Sequence, residues 1–92
     1  NVLVSLGRDG AYFANRHKRY QLFGPAVEVI NTVGCGDSML ACTVASLARH
    51  EELTEALKYG EAAGRAKAKT RGLPSAEDVK QLYEKIEIRE VE

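Results

Sequence analysis

The chain has 92 residues, which is enough for one domain with a single core of modest size. Thirteen Lys and Arg residues balance thirteen Asp and Glu residues, so the formal net charge is zero and no long-range field favours nucleic acid or an anionic membrane. No apolar run approaches the roughly 20 residues that a membrane-spanning helix requires, and a soluble protein is therefore expected.

The first third of the sequence predicts a meander of four short strands. Apolar or alternating residues favour strands over residues 2–6, 11–15, 19–23 and 27–30. Glycine turns follow the first strand at Gly7–Gly10 and the third at Gly24-Pro25. The first strand is apolar along its length, so it needs neighbours on both sides. Together with the start of the chain at Asn1, this predicts one incomplete domain over residues 1–92, cut from a larger fold.

A long apolar helix is predicted next, over residues 38–49. It is apolar around almost its whole circumference, so it should be buried against a sheet. Cys35 precedes this helix and Cys42 lies within it, and neither has the spacing or the His partners of a zinc site. No metal site is therefore predicted, and reduced thiols in a cytoplasmic protein are the simplest account of both cysteines.

Two more helices follow in the sequence. The second is predicted from an N-cap at Thr54 to about Thr70, and the third from an N-cap at Ser75 to near Ile86, followed by a charged tail. One face of the second helix carries a small residue at every fourth position, namely Ala56, Gly60, Gly64 and Ala68. This stripe indicates either close packing against another helix or a ligand constraint at its two glycines.

A glycine corner, Gly34-Cys35-Gly36-Asp37, lies where the extended segment gives way to the first helix. Backbone N–H groups at a helix start lack intrahelical partners, and with the helix dipole they form an anion site. Glycines permit positive φ and close approach of a phosphate oxygen. Asp37 can accept the proton of an attacking hydroxyl, but it is explained equally well as a capping residue.

Three stretches of the sequence resemble signatures of the ribokinase-like, or PfkB, family of carbohydrate kinases. Residues 31–39, Asn-Thr-Val-Gly-Cys-Gly-Asp-Ser-Met, resemble the second family signature, which commonly reads D/N-T-x-G-A-G-D-S/T and an apolar residue. Ser5–Ala11 resembles the family's nucleotide turn, S/K-L-G-x-x-G-A, and Tyr59–Gly72 resembles its late helix beside the adenine. Asn31, Met39 and Tyr59–Gly64 are most like the branch that includes 1-phosphofructokinase and tagatose-6-phosphate kinase. The resemblance implies an α/β fold, the C-terminal portion of a ribokinase-like domain, with about four short strands followed by three helices.

The resemblance also implies an ATP-dependent sugar or sugar-phosphate kinase. Asp37 is then the catalytic base, and the anion hole consists of Gly34, Cys35 and Gly36. The nucleotide-binding residues that it implies are Ser5, Leu6, Gly7, Arg8, Asp9, Gly10, Gly36, Asp37 and Glu61. The family's sugar-binding residues, its lid and its magnesium-linked acidic motif lie upstream of the equivalent of Asn1. ATP and Mg²⁺ are thus expected in the full-length protein, whereas the 92-residue chain alone should be inactive.

The sequence departs from the family pattern at several positions. Cys35 and Cys42 replace small residues and are small enough to fit there. Arg65, Lys67 and Lys69 lie where relatives mostly carry small or apolar side chains, and they form either a solvated face or a set of phosphate contacts. Two other classes of function stay open: a non-catalytic nucleotide-binding module, and a fragment that forms homo-oligomers through exposed strand edges and apolar helix surface.

Overall fold

The fold is known from a computed structural model that describes residues 2–5, 9–25, 35–69 and 75–91. One layer is a four-stranded antiparallel sheet. Its strands are β1 (Val2–Ser5), β2 (Ala11–Ala14), β3 (Arg19–Phe23) and β4 (Glu87–Glu90), in that spatial order. The first three strands confirm the predicted meander. The fourth predicted strand, residues 27–30, lies outside the described residues.

The charged tail predicted after the third helix is instead strand β4, so that prediction was wrong. Ile88 pairs with Leu22 of β3, and the polar residues on either side of Ile88 are exposed. The guanidinium of Arg89 lies 5.2 Å from the ring centroid of Phe23. A strand with one half-buried apolar residue among charged residues shows little apolar-polar alternation, so the sequence does not reveal it. Pairing with β3 is what stabilises β4 as a strand.

Three helices form the rest of the described chain: α1 (Cys35–Ala48), α2 (Leu53–Ala68) and α3 (Ala76–Tyr83). Ser75 is confirmed as the N-cap of α3, since its hydroxyl accepts the Asp78 N–H at 3.1 Å and the Asp78 carboxylate accepts the Ser75 N–H at 3.4 Å. Thr54 is not an N-cap, because α2 begins at Leu53, with Glu52 at the cap position, two residues before the predicted cap, and no side-chain cap.

Helix α2 is the centre of the fold. It packs against α1, against α3 and against strands β3 and β4. The core that surrounds it comprises Ala11, Phe13, Leu22, Met39, Leu57, Ala62, Ala66, Leu82 and Ile86. The small-residue stripe serves this packing: a Cβ on Gly60 would lie 2.8 Å from the Met39 carbonyl oxygen, and one on Gly64 would lie 3.2 Å from that of Cys35. The packing interpretation of the stripe is therefore confirmed at both glycines.

Helix α1 is not buried on all sides, contrary to the prediction. It buries Met39, Thr43 and Ser46, mainly against α2, and the Thr43 hydroxyl donates to the Met39 carbonyl oxygen at 2.8 Å. Its opposite face carries large apolar side chains that are 54%, 55% and 42% exposed, those of Leu40, Val44 and Leu47. Among the described elements its main neighbour is α2, which in turn contacts the sheet through β3 and β4.

Candidate functional site

The N-terminus of α1 carries the described part of the glycine corner. Cys35 is the first residue of the helix, and Gly36 and Asp37 lie in its first turn, both exposed. A Cβ built on Gly36 would meet no atom of the described residues within 4 Å. The first N–H groups of a helix have no intrahelical acceptors, and this turn therefore presents donors and a carboxylate side by side. Gly34 lies outside the described residues.

Helix α2 fixes the orientation of this turn. Gly64 lies against the backbone of Cys35 and within 3.5 Å of the Met39 side chain, as measured from an ideal Cβ position. Met39 is 5% exposed, so the inner side of the first turn is anchored in the core. The exposed positions Gly36 and Asp37 consequently belong to the outer side of a turn whose inner side cannot shift without disturbing α2.

The charge of Lys67 acts on this helix start from α2. Burial raises the pKa of the Cys35 thiol, and the nearby Lys67 ammonium opposes that rise. Lys67 itself is half-buried. A positive charge close to the first residue of α1 adds to the positive end of the helix dipole and favours an anion there.

Glu61 and Arg65 form a buried ion pair one turn apart on α2. Arg65 Nε lies 3.0 Å from Glu61 Oε1, and the two side chains are 7% and 5% exposed. The expectation of a solvated face is thus wrong for Arg65. Burial raises the pKa of the Glu61 carboxyl, with the Arg65 charge and hydrogen bond opposing it. Glu61 Oε2 is buried and accepts no hydrogen bond from a described residue.

Arg65 also reaches the chain that leaves the sheet. Its Nη1 donates to the Pro25 carbonyl oxygen at 2.9 Å. A Cβ on Gly24 would lie 2.7 Å from Arg65 Cδ, so the arginine stem crosses Gly24 closely. The spacing of Glu61 and Arg65 by four residues could have indicated their pairing from the sequence, but the contact with Pro25, forty residues away, has no local signal.

The predicted nucleotide turn is described only in part. Ser5 ends β1 and is exposed, Asp9 is exposed, and Gly10 is buried with φ of 100° at the start of β2. A Cβ on Gly10 would lie 3.0 Å from the Leu22 carbonyl carbon, so pairing of β2 with β3 requires glycine here. Leu6, Gly7 and Arg8 lie outside the described residues. By element, the predicted site residues fall into three groups: the β1–β2 end, the first turn of α1, and Glu61 on α2.

Within the described ranges, no three His, Cys, Asp or Glu side chains lie close enough together to hold a metal ion. Of the helices described, none combines the length and the apolar character needed to cross a membrane.

Comparison with known proteins gives consistent results. The family model for pfkB family carbohydrate kinases matches residues 1–79. The 1-phosphofructokinase of Borreliella burgdorferi is 32% identical over 92 residues, covering 99% of this chain and 30% of the relative. The ATP-dependent 6-phosphofructokinase isozyme 2 of Escherichia coli is 37% identical over 84 residues, covering 89% of this chain and 27% of the relative.

A solved structure agrees with the described fold over nearly its full length. It is a crystal structure from Staphylococcus aureus, provisionally named a phosphofructokinase, with a TM-score of 0.95 at 31% identity. The alignment covers 99% of this chain and 30% of that protein. The chain therefore spans between 27% and 30% of the length of the two curated relatives above.

Proposed function

Because the chain belongs to the pfkB family of carbohydrate kinases, we propose that the full-length protein is an ATP-dependent sugar-phosphate kinase to which this segment contributes a catalytic carboxylate and an anion hole. The observation that carries the proposal is the first turn of α1, where the exposed Asp37 stands beside the backbone N–H groups of the helix start. The phosphofructokinase names of the relatives support a sugar phosphate as the acceptor.

In this proposal each residue of the corner has one task. A carboxylate oxygen of Asp37 accepts the proton of the acceptor hydroxyl as that oxygen attacks. Backbone N–H groups at Cys35 and Gly36, together with Gly34, stabilise the negative charge that develops on the phosphoryl group in transfer. ATP, when bound, supplies that phosphoryl group. Lys67 adds positive charge near the same helix end.

The nucleotide-binding residues remain part of the proposal. Ser5 and Asp9 are exposed at the end of β1 and in the turn that follows it, where a ligand can reach them. Leu6, Gly7, Arg8 and Gly10 complete the turn that the family resemblance assigns to the nucleotide. For Glu61, whose side chain is buried in the ion pair with Arg65, a nucleotide contact stays a prediction. The described residues offer no acidic cluster for Mg²⁺, and we propose that its ligands come from outside this chain.

Replacement of Asp37 by Asn in the full-length protein tests the base. The amide keeps the size of the side chain but cannot take the proton, so kcat should fall by at least about a hundredfold. Initial rates of ADP formation with fructose 1-phosphate, fructose 6-phosphate and tagatose 6-phosphate as acceptors measure this. Activity within about tenfold of the parent would exclude Asp37 as the base.

The 92-residue chain by itself should show no sugar phosphorylation, since it spans less than a third of its curated relatives. Calorimetric titration of the same chain with ATP separates a nucleotide-binding segment from one without affinity. A cytoplasmic location belongs to the proposal because ATP and sugar phosphates are cytoplasmic metabolites.

An oligomerising fragment is the second candidate, favoured by the exposed apolar surface. Val2 and Val4 of β1 are 55% and 42% exposed, in addition to the apolar face of α1. Such surface promotes association of copies of the chain. Light scattering on the 92-residue chain tests this, and a monomeric mass at all concentrations would exclude it.

A further inference from the structure

The turn of α2 from Glu61 to Arg65 holds two segments at once. Arg65 donates to the carbonyl of Pro25, two residues beyond the end of β3. Gly64, the neighbour of Arg65 in α2, packs against the carbonyl of Cys35. In the sequence, residues 26–34 connect Pro25 to Cys35. One helical turn therefore fixes the place where the chain leaves the sheet and the place where it begins α1.

The buried ion pair makes this connection at a cost in solvation free energy. Both side chains are more than nine-tenths buried, and burying charges costs solvation that the ion pair repays only with good geometry and further hydrogen bonds. Arg65 donates one such bond to Pro25, whereas its Nε, 3.0 Å from Glu61 Oε1, lies outside hydrogen-bond geometry, so the contact of this atom with Glu61 is ionic. An apolar pair would fill the same volume without that cost. The ion pair of Glu61 and Arg65 is therefore better explained by the position in which it holds Pro25 than by a contribution to the free energy of unfolding.

The Arg65 side chain passes close to Gly24, which shows that the chain at Gly24-Pro25 has a defined position against α2. Arg65 Cδ would lie 2.7 Å from a Cβ at residue 24, and so would Ile86 Cδ1. Glycine at this position lets the chain lie between the arginine stem and the residue that precedes β4. A planar guanidinium with several donors in fixed directions can hold Glu61 and Pro25 together, which a single ammonium on a flexible stem does poorly.

We propose that Arg65, oriented by Glu61, is a positioning residue for phosphoryl transfer: it sets the separation between the end of β3 and the first turn of α1, and thereby places Asp37 for catalysis. This rests on the proposed function. Positioning errors of about 1 Å are enough to slow a reaction up to about a hundredfold. Loss of the contact should thus reduce kcat and leave the KM for the sugar phosphate nearly unchanged.

The decisive variant is the double replacement Glu61→Leu with Arg65→Met in the full-length protein. Methionine keeps an unbranched stem over Gly24, and the pair of apolar side chains leaves no unpaired buried charge, so the midpoint of urea unfolding should stay near that of the parent. The kcat should fall at least about tenfold, and the KM for the sugar phosphate should stay within about twofold of the parental value. Arg65→Lys should recover only part of the lost kcat. Lys58→Met, which removes a charge of the same helix that lies over the Tyr83 ring, is the matched control and should keep the parental kcat.

A second measurement does not depend on turnover. In a Cys42→Ser background, the alkylation rate of Cys35 reports the packing of the first turn of α1, and it should become several-fold faster in the double variant. A double variant with parental kcat and a parental Cys35 rate would overturn the proposal and leave the pair a packing feature. A parent without phosphoryl transfer, or an active Asp37→Asn variant, would overturn the proposed function instead. The Cys35 rate would then decide alone whether Arg65 positions the corner.

Discussion

The burial of helices α1 and α2 is the reverse of what their compositions suggest. Helix α1 carries one charged residue, Asp37, yet exposes three of its large apolar side chains. Helix α2 carries several charges, yet it is the centre of the fold and buries both Glu61 and Arg65. Burial in this chain follows the position of a helix between other elements, because α2 has neighbours on several sides and α1 packs mainly on one. If the chain is part of a longer kinase, as proposed above, we expect residues outside this chain to cover the exposed face of α1.

The largest expected effect is a contrast between the two faces of α1. Met39→Ala removes a core side chain and should lower the free energy of unfolding by about 2 to 5 kcal/mol. Leu40→Ala, one residue further on the exposed face, should change it by less than about 0.5 kcal/mol in the 92-residue chain. Urea denaturation measures both. In the full-length protein, Leu40→Ala should lower the free energy of unfolding by more than it does in the 92-residue chain. An equally small change in both proteins would show that this face of α1 stays uncovered.

The next effect concerns the close approach of α1 and α2. Gly60→Ala places a methyl group against the Thr43 side chain and 2.8 Å from the Met39 carbonyl oxygen, so it should destabilise the protein by about 1 to 3 kcal/mol despite its better helix propensity. Gly64→Ala, with contacts of 3.2 and 3.5 Å, is the matched control and should be tolerated better. Thermal unfolding of the two variants gives the order, and a reversed order would contradict this description of the interface.

The buried pair of α2 predicts a dependence of stability on pH. The folded pKa of Glu61 is raised above its ordinary value of 4.5, so the folded state holds this proton more tightly than the unfolded state. The stability from this group is complete below the unfolded pKa and is lost as the pH rises through the folded pKa. The free energy of unfolding of the parent, relative to Glu61→Gln, should therefore fall as the pH increases over that range. Urea titrations of both proteins at several pH values measure this, and a rise would mean that pairing with Arg65 outweighs burial.

The smallest effect links the two helices electrostatically. Lys67→Met removes the charge that opposes the raised pKa of the Cys35 thiol, so that pKa should rise further. The pH dependence of Cys35 alkylation in a Cys42→Ser background measures the shift. Lys69→Met serves as the control for a charge lost at the end of the same helix. A Cys35 pKa that is unchanged by Lys67→Met would show that the two groups do not interact.

Local sequence was sufficient for features whose cause is local. The antiparallel strands β1 to β3, the three helices and the Ser75 cap follow from alternation, helical periodicity and a polar residue at a helix start. The family resemblance on the glycine corner and the nucleotide turn predicted the kinase family, which the family model and the relatives confirm. The predicted α/β fold of the ribokinase-like type is confirmed by the similarity to the Staphylococcus aureus structure.

Tertiary structure decided what depends on distant partners. Strand β4 forms because β3 offers an edge to a segment with only Ile88 to bury, and no local pattern of the charged tail indicates that edge. The apolar composition of α1 predicted that this helix would be buried. Burial also requires neighbouring elements, and the described structure provides α1 with one mainly on the side that packs against α2. The charge of Arg65 suggested either a solvated position or a phosphate contact, yet the side chain is buried against Glu61 and the carbonyl of Pro25. Sequence thus determined the elements and the family, whereas the partners of each surface were determined by contacts between residues far apart in the chain.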